Sequence, residues 1–339
     1  MACLAACSAP ATLPELTAAE TQRRSGATDA SAASYRRAQA RCQELTPAWR
    51  ARAACAEAQL GEAEVLEAAQ RVPQALAAYR RALAAPASDA VAATACVRIG
   101  RLELARGQEA TAWQALWQVV TDWPDEPAAG DAVRLLVQDG RGRDARALVH
   151  ELGEVLTQAP QSQVADNLLW AMADLTEREL ANPATARALY DRIPRDTPTS
   201  GLRDDARWHA ARISRALGDG QGAARRLREL LATREVALGA GSYFSIWLDD
   251  AQLELGRILR DELGDPRAAA AALAQLERDY PASTLVDDAL WERALALRQA
   301  QNLAAACRAL RELTRRFSSS KYAARGRALA GELRCEGGP

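Results

Sequence analysis

One pattern recurs along most of the chain: an alanine, an apolar residue four positions later, and another three positions after that. This spacing places all three residues on one face of an α-helix, and the small alanine lets a neighbouring helix approach closely. The pattern begins at Ala75, Ala112, Ala145, Ala186, Ala223, Ala269 and Ala306. Successive copies start 33 to 46 residues apart. The chain is therefore predicted to consist of repeated helical units of about this length.

Prolines and turn residues mark where the helices of each unit end. Pro124, Pro198 and Pro281 each lie 12 residues after the first alanine of their copy, and a proline there prevents the helix from continuing. Glycine, Asn-Pro or Asp-Pro precedes the alanine-bearing helix in ARGQEA, ELANPATA, ALGDGQGAA and ELGDPRAA. These residues supply helix stops, caps and first-turn prolines. Each unit is therefore predicted to be a pair of helices joined by a turn, and the fold class to be all-α.

The repeat resembles that of the tetratricopeptide-repeat superfamily, whose units are about 34 residues long. The resemblance implies a right-handed α-solenoid of about seven helical hairpins within residues 31–335, closed by a capping helix at about 320–334. Residues 160–335, with the linkers DYPAST and RFSSSKYAA, are similar to the longer-linker subtype of bacterial outer-membrane assembly and cell-division lipoproteins. Residues 126–165 contain the glycine-bearing QDGRGRDA and are predicted to hold an irregular repeat or a hinge.

The first thirty residues indicate a subcellular location. Leu4-Ala5-Ala6-Cys7 resembles the lipobox of bacterial lipoproteins, in which the cysteine becomes lipidated. The charged start and apolar core of a signal peptide are missing, so residues 1–7 are interpreted either as a truncated signal or as a chance match in an alanine-rich chain. Residues 8–30 are small, polar and without helical period, which predicts a flexible linker.

The cysteines leave two alternatives open. Cys42 with Cys55, and Cys307 with Cys335, could form disulfides in an oxidising compartment, or all could be buried thiols that act as small apolar residues. The chain contains no CxxC pair and only two histidines, His150 and His209. A zinc site needs four clustered ligands, so neither a metal nor a cofactor is expected.

Composition and missing motifs narrow the function classes. The net charge is −1, so no strong basic field is expected to attract nucleic acid. No apolar run is long enough to span a membrane. The chain lacks a GxSxG elbow, a Walker loop and a dinucleotide fingerprint. An enzyme is therefore not expected.

Three predicted helices begin with Asp-Asp-Ala, and two of them continue to a tryptophan at the same position. In the resembled family the first helix of each hairpin lines a concave groove, which implies a partner-binding face. The candidate residues are Asp205, Trp208, Arg212, Arg215, Asp288, Trp291 and Arg298. The alternative is structural: the aspartates complement helix dipoles and the tryptophans fill space between hairpins.

A glycine-bearing insertion, residues 238–247, adds Tyr243 and Phe244 as loop candidates for binding. The sequence thus predicts a non-enzymatic scaffold that binds a protein or peptide partner on its concave face. The resemblance implies a lipid-anchored protein of the bacterial envelope that faces the periplasm, with the outer membrane as its site and envelope assembly or maintenance as its role. A cytosolic adaptor in a signalling or regulatory complex is the alternative.

Overall fold

The computed structural model describes residues 13–140, 144–232 and 245–335. Within these ranges the chain forms α-helices and one short 3-10 helix, and no β-strand. The predicted all-α fold class is confirmed. The helices are α1 (Pro14–Arg24), α2 (Thr28–Arg41), α3 (Ala48–Ala68), α4 (Val72–Ala84), α5 (Asp89–Ala105), α6 (Glu109–Asp122), α7 (Pro127–Asp139), α8 (Ala145–Gln158), α9 (Ala165–Arg178), α10 (Pro183–Asp196), α11 (Arg203–Ala216), α12 (Gly220–Ala232), α13 (Leu248–Asp261), α14 (Pro266–Asp279), α15 (Val286–Gln299), α16 (Leu303–Arg316) and α17 (Ala323–Glu332).

Helices that follow one another in the chain pack against one another from α1 to α7 and from α10 to α17. Odd-numbered helices are the first members of hairpins and even-numbered helices the second, with α17 as the C-terminal cap. This arrangement of consecutive hairpins is that of a tetratricopeptide-type solenoid. None of the described helices is long and apolar enough to cross a membrane.

The alanine pattern marks the buried face of the second helices. Ala186, Tyr190 and Ile193 are fully buried on α10. The first helix of a hairpin also places a small residue at the contact. On α13 this residue is Gly256, because a Cβ added there would lie 2.5 Å from the side chain of Leu273 on α14. Close approach of the two helices therefore depends on small residues from both of them, as the periodicity predicts.

The flexible linker predicted for residues 8–30 is wrong from Pro14 onward, where α1 and the start of α2 form an additional hairpin. Leu16 and Ala19 of α1 are buried, and the Ser31 hydroxyl donates to the Ala19 carbonyl at 2.8 Å. Two apolar side chains one turn apart give α1 enough of a buried face to pack, although most of its other residues are polar. Residues 1–12, which include Cys7, lie outside the described ranges.

The chain divides into two compact units, Met1–Ala171 (unit 1) and Met172–Pro339 (unit 2). The division falls inside α9 and therefore C-terminal to the predicted irregular region 126–165. In that region the structure describes two ordinary helices, α7 and α8, whose apolar side chains are buried.

Both cysteine pairs are disulfides. Cys42 and Cys55 join the 3-10 helix after α2 to α3, with a Cα–Cα distance of 5.1 Å. Cys307 of α16 is bonded to Cys335, beyond the end of α17, with a Cα–Cα distance of 5.5 Å. Both distances are normal for a disulfide. Cys96 is a buried thiol, and burial raises its pKa to about 11.

Candidate protein-interaction face

The seven residues predicted for the groove all belong to unit 2 and lie on α11 and α15, the first helices of two of its hairpins. We call the surface formed by α11, α13 and α15 the first-helix face. Each of these helices carries the Asp-Asp-Ala sequence in its first turn, and the linker before it has a serine four residues before the first aspartate.

On α13 and α15 the first aspartate of the pair accepts a hydrogen bond from the linker that leads into the next odd-numbered helix. The Ser283 hydroxyl donates to Asp249 at 2.6 Å, and the Ser320 hydroxyl donates to Asp287 at 2.6 Å. Ser283 also accepts the backbone N–H of Leu285 at 3.0 Å. The serine therefore connects the start of its own helix to the start of the preceding first helix. We call this contact the serine clasp.

The second aspartate holds an aromatic residue at the start of the next first helix. Asp205 accepts the indole N–H of Trp247 at 2.5 Å, and Asp288 accepts the Tyr322 hydroxyl at 2.8 Å. Because Trp247 and Tyr322 both occupy the residue just before a first helix, the two bonds are equivalent contacts in different repeats.

The same aromatic residues stack on the predicted tryptophans. Trp208 and Trp247 have ring centroids 5.1 Å apart and planes 14° apart. Trp291 and Tyr322 are 5.5 Å and 11° apart. The four rings form two stacked pairs, each with one ring hydrogen-bonded to an aspartate. The equivalent positions between these pairs hold leucines.

Ion pairs connect the middle of one first helix to the end of the previous one. Arg215 of α11 pairs with Glu254 of α13 and, at 2.6 Å, with Glu262. Arg260 of α13 pairs in the same way with Glu292 of α15. Although burial opposes it, bonding to the two glutamates raises the pKa of Arg215. These carboxylates are neutralised within the chain.

His209 occupies the position on α11 that Glu254 occupies on α13. Its Nδ1 lies 3.7 Å from a Glu177 carboxylate oxygen, and its ring centroid lies 5.1 Å from that of Tyr190. Burial lowers the pKa of His209, although Glu177 acts in the opposite direction. The imidazole is thus part of the same series of contacts between successive first helices.

The predicted site residues fall into two groups. Asp205, Asp288 and Arg215 are bonded to neighbouring repeats, and Asp288 also meets Lys321 at 3.0 Å. These contacts support the structural interpretation of the aspartates, although they join repeats rather than cap a helix. Partner binding by these three residues stays a prediction.

The second group remains accessible. Trp208 and Trp291 are half-buried, and Arg212 and Arg298 are exposed. Neither arginine forms an ion pair or a side-chain hydrogen bond within the part of the chain that the structure describes. Tyr243 and Phe244 lie outside the described residues, so binding through their loop stays a prediction.

Sequence reasoning missed the serine clasp. The signal was present, because a serine lies four residues before each Asp-Asp-Ala in SGLRDDA, SIWLDDA and STLVDDA. The aromatic partners Trp247 and Tyr322 were harder to find, since their positions carry leucine in the other two linkers. Among the described residues no group of three or more potential metal ligands could hold a metal ion.

Comparison with known proteins agrees with this geometry. Residues 250–283 and 288–320 match the family model of the tetratricopeptide repeat. The two matched segments coincide with the hairpins α13–α14 and α15–α16. A search of curated proteins found no match.

Several solved structures are similar to the chain at low sequence identity. The C-terminal part of a repeat protein from Cytophaga hutchinsonii is 12% identical with a TM-score of 0.49, covering 81% of this chain and 99% of that one. YrrB, described as having an unusual peptide-binding site, is 12% identical with a TM-score of 0.45, covering 64% and 99%. PilW, a type IV pilus biogenesis factor, is 18% identical with a TM-score of 0.40, covering 69% and 98%. The hairpins α13–α14 and α15–α16 are therefore tetratricopeptide repeats, the architecture of a protein-interaction scaffold, and the other described hairpins follow one another in the same way.

Proposed function

We propose that this protein is a lipid-anchored scaffold of the bacterial envelope that binds a protein partner through the first-helix face of unit 2. One observation carries the binding proposal. Half-buried Trp208 and Trp291 lie on the same helices as exposed Arg212 and Arg298, whose guanidinium groups have no partner among the described residues. Tryptophan and arginine are the residue types most enriched at interface hot spots.

The stacked pairs favour binding because their rings are held in place before a partner arrives. Trp208 is stacked on Trp247, which is itself hydrogen-bonded to Asp205. A ring that is already ordered loses little conformational entropy on binding. The exposed arginines can each donate two hydrogen bonds to one carboxylate. The face therefore suits a partner segment that presents apolar side chains beside acidic ones.

Two independent features support the proposed location in the bacterial envelope. The sequence around Cys7 resembles a lipobox, as described above. Separately, a disulfide lies near each end of the described chain, Cys42–Cys55 and Cys307–Cys335. Disulfides persist in oxidising compartments such as the bacterial periplasm and are rare in the cytosol. The disulfides therefore favour an exported protein over the cytosolic adaptor.

Site-specific photo-crosslinking in cells tests the binding proposal. A crosslinking amino acid at position 212 or 298 should capture a protein adduct, whereas the same probe at exposed Arg228 or Arg267, on second helices, should not. Trp208→Ala combined with Trp291→Ala should abolish the adduct. Because those tryptophans also stack within the chain, the second variant combines the probe at one position with glutamate at the other, Arg298→Glu or Arg212→Glu, and so changes only exposed groups; it should lower the adduct yield. Adducts of equal yield at all four positions contradict the proposal.

Mass spectrometry of the native N-terminus tests the proposed location in the envelope. An acylated Cys7 in the membrane fraction, together with four cysteines resistant to alkylation without reductant, is the expected result. An unmodified N-terminus in the soluble fraction, with all cysteines alkylated, would assign the protein to the cytosol and favour the adaptor.

A further inference from the structure

The C-terminal cap differs from the rest of the molecule in its charge. Residues 303–335 contain eight basic and two acidic side chains, although the whole chain has a net charge of −1. This segment comprises α16, α17 and the linker between them. We call it the basic cap. Its charge is therefore local, and it is hidden in the overall composition.

Most of the basic side chains of the basic cap form no ion pair with the described residues of the protein. Arg316 pairs with Glu312 at 2.9 Å, and Lys321 pairs with Asp288 at 3.0 Å. Five other guanidinium groups are exposed and have no ion pair or side-chain hydrogen bond with any residue in the described ranges. They are Arg308, Arg315, Arg325, Arg327 and Arg334.

The Cys307–Cys335 disulfide brings part of this charge together. Arg308 and Arg334 each adjoin one of the bonded cysteines, whose Cα atoms are 5.5 Å apart. The covalent bond therefore fixes the backbone positions of two of the exposed arginines near each other.

The distribution of the charge indicates a flat anionic partner. Arg308 and Arg315 lie two turns apart on one face of α16, and Arg325 and Arg327 extend the exposed charge to α17, beside exposed Ala324 and Ala328. A protein interface needs a desolvated centre that is poor in charge. Binding of single-stranded nucleic acid uses exposed aromatic platforms, but Tyr322 of this segment is stacked on Trp291.

We propose that the basic cap binds the surface of a membrane rich in anionic phospholipid headgroups. Spread arginines can each contact a different phosphate, and the attraction to an anionic leaflet grows with every basic residue near it. Leu303, which is 41% exposed, adds an apolar side chain at the start of α16. The proposal is independent of the first-helix face and of lipidation at Cys7.

Vesicle binding tests the proposal on the full chain carrying Cys7→Ser, so that no lipid anchor contributes. The protein should co-sediment with vesicles containing about one third phosphatidylglycerol and not with pure phosphatidylcholine vesicles. Arg308→Gln, Arg315→Gln and Arg327→Gln together should lower vesicle affinity by about 100-fold, at about fivefold per charge. Binding should also be lost in ~1 M NaCl, where charges are screened beyond about 3 Å.

A matched control uses three arginines that are equally exposed and unpaired among the described residues: Arg52, Arg228 and Arg267. Changing these to glutamine removes the same charge and should leave vesicle binding within about twofold of the parent, given the short range of screened attraction. Equal loss in both triple variants would show that net charge alone drives binding and would overturn the proposal. Tighter binding to polyglutamate than to anionic vesicles at the same salt would also overturn it, in favour of an acidic protein segment.

Discussion

The two units join successive hairpins by different means. In unit 2 linker serines and aromatic residues bond to the preceding Asp-Asp pair at helix starts, in addition to the ion pairs between first helices. In unit 1 two of the contacts between hairpins instead lie between helix bodies. Glu62 on α3 and Glu103 on α5 are both nearly fully buried. Arg36 of α2 meets Glu62 at 3.3 Å, and Arg80 of α4 meets Glu103 at 2.6 Å.

Linker length explains the difference at the contact between α4 and α5. The linker between α14 and α15 spans residues 280–285, which leaves room for a serine that reaches back to Asp249. The linker between α4 and α5 spans only residues 85–88. Its Ser88 is the N-cap of its own helix and accepts the N–H of Val91 at 3.4 Å. A short linker thus stabilises its own helix, and a longer one can also bond to the previous repeat.

The largest expected effect concerns the disulfides at the two ends. Replacing Cys307 and Cys335 by alanine should lower the unfolding free energy of unit 2 by about 3–4 kcal/mol, because the bond closes a loop of 28 residues. Replacing Cys42 and Cys55 should cost unit 1 about 3 kcal/mol, since that loop has 13 residues. Denaturant unfolding followed separately in each unit by hydrogen exchange measures both. A larger loss in unit 1 would contradict the loop-length argument.

The packing inside the hairpins should not differ between the units. A Cβ at Gly256 of unit 2 would lie 2.5 Å from Leu273, and one at Gly100 of unit 1 would lie 2.7 Å from Leu116. Gly256→Ala and Gly100→Ala should each destabilise the protein by about 1–3 kcal/mol through overpacking. Gly331→Ala is the control, because nothing lies within 4 Å of its added Cβ. It should stabilise α17 by up to about 1 kcal/mol. Thermal unfolding distinguishes these results.

The hydrogen bonds between hairpins of unit 2 and the ion pairs between hairpins of unit 1 should respond differently to salt. A double-mutant cycle on Ser283→Ala and Asp249→Asn should give a coupling energy of about 1 kcal/mol, which persists in ~1 M NaCl because a short hydroxyl–carboxylate bond depends little on screening. A cycle on Arg80→Gln and Glu103→Gln should give about 0.5–1 kcal/mol at low salt and less at high salt, since the Arg80 side chain is 54% exposed. Equal salt dependence would show that the two kinds of joint are not physically distinct.

The smallest expected effect is on pH dependence. Because burial lowers the pKa of His209, the folded state favours the neutral imidazole more than the unfolded state does. Stability is therefore complete above about pH 6.5, the pKa of an unperturbed histidine, and declines as the pH falls toward the folded pKa. His209→Gln should reduce this decline in amide-exchange protection of α10 and α11. His150→Gln, at an exposed histidine of unit 1, should leave it unchanged.

Much of this organisation was predictable from periodicity. The i, i+4, i+7 alanine pattern identified the second helices and the hairpin order, because a buried helix face imposes its period on the sequence. The prediction of a flexible linker was wrong at α1, where two buried apolar residues, Leu16 and Ala19, were too few to produce a visible period. The roles of Asp205 and Asp288 depended on Trp247 and Tyr322, which lie 42 and 34 residues further along the chain. No local pattern relates residues that far apart.

The sequence by itself determined the helices, their pairing into hairpins and the small residues that let each pair close, since all of these depend on neighbours within one repeat. Only the tertiary structure decided which polar residues are bonded inside the chain and which remain accessible. Arg215 and Arg212 lie on the same helical face, yet only Arg215 reaches carboxylates of the next repeat. That distinction depends on the distance between successive repeats, which residue spacing within one helix does not contain.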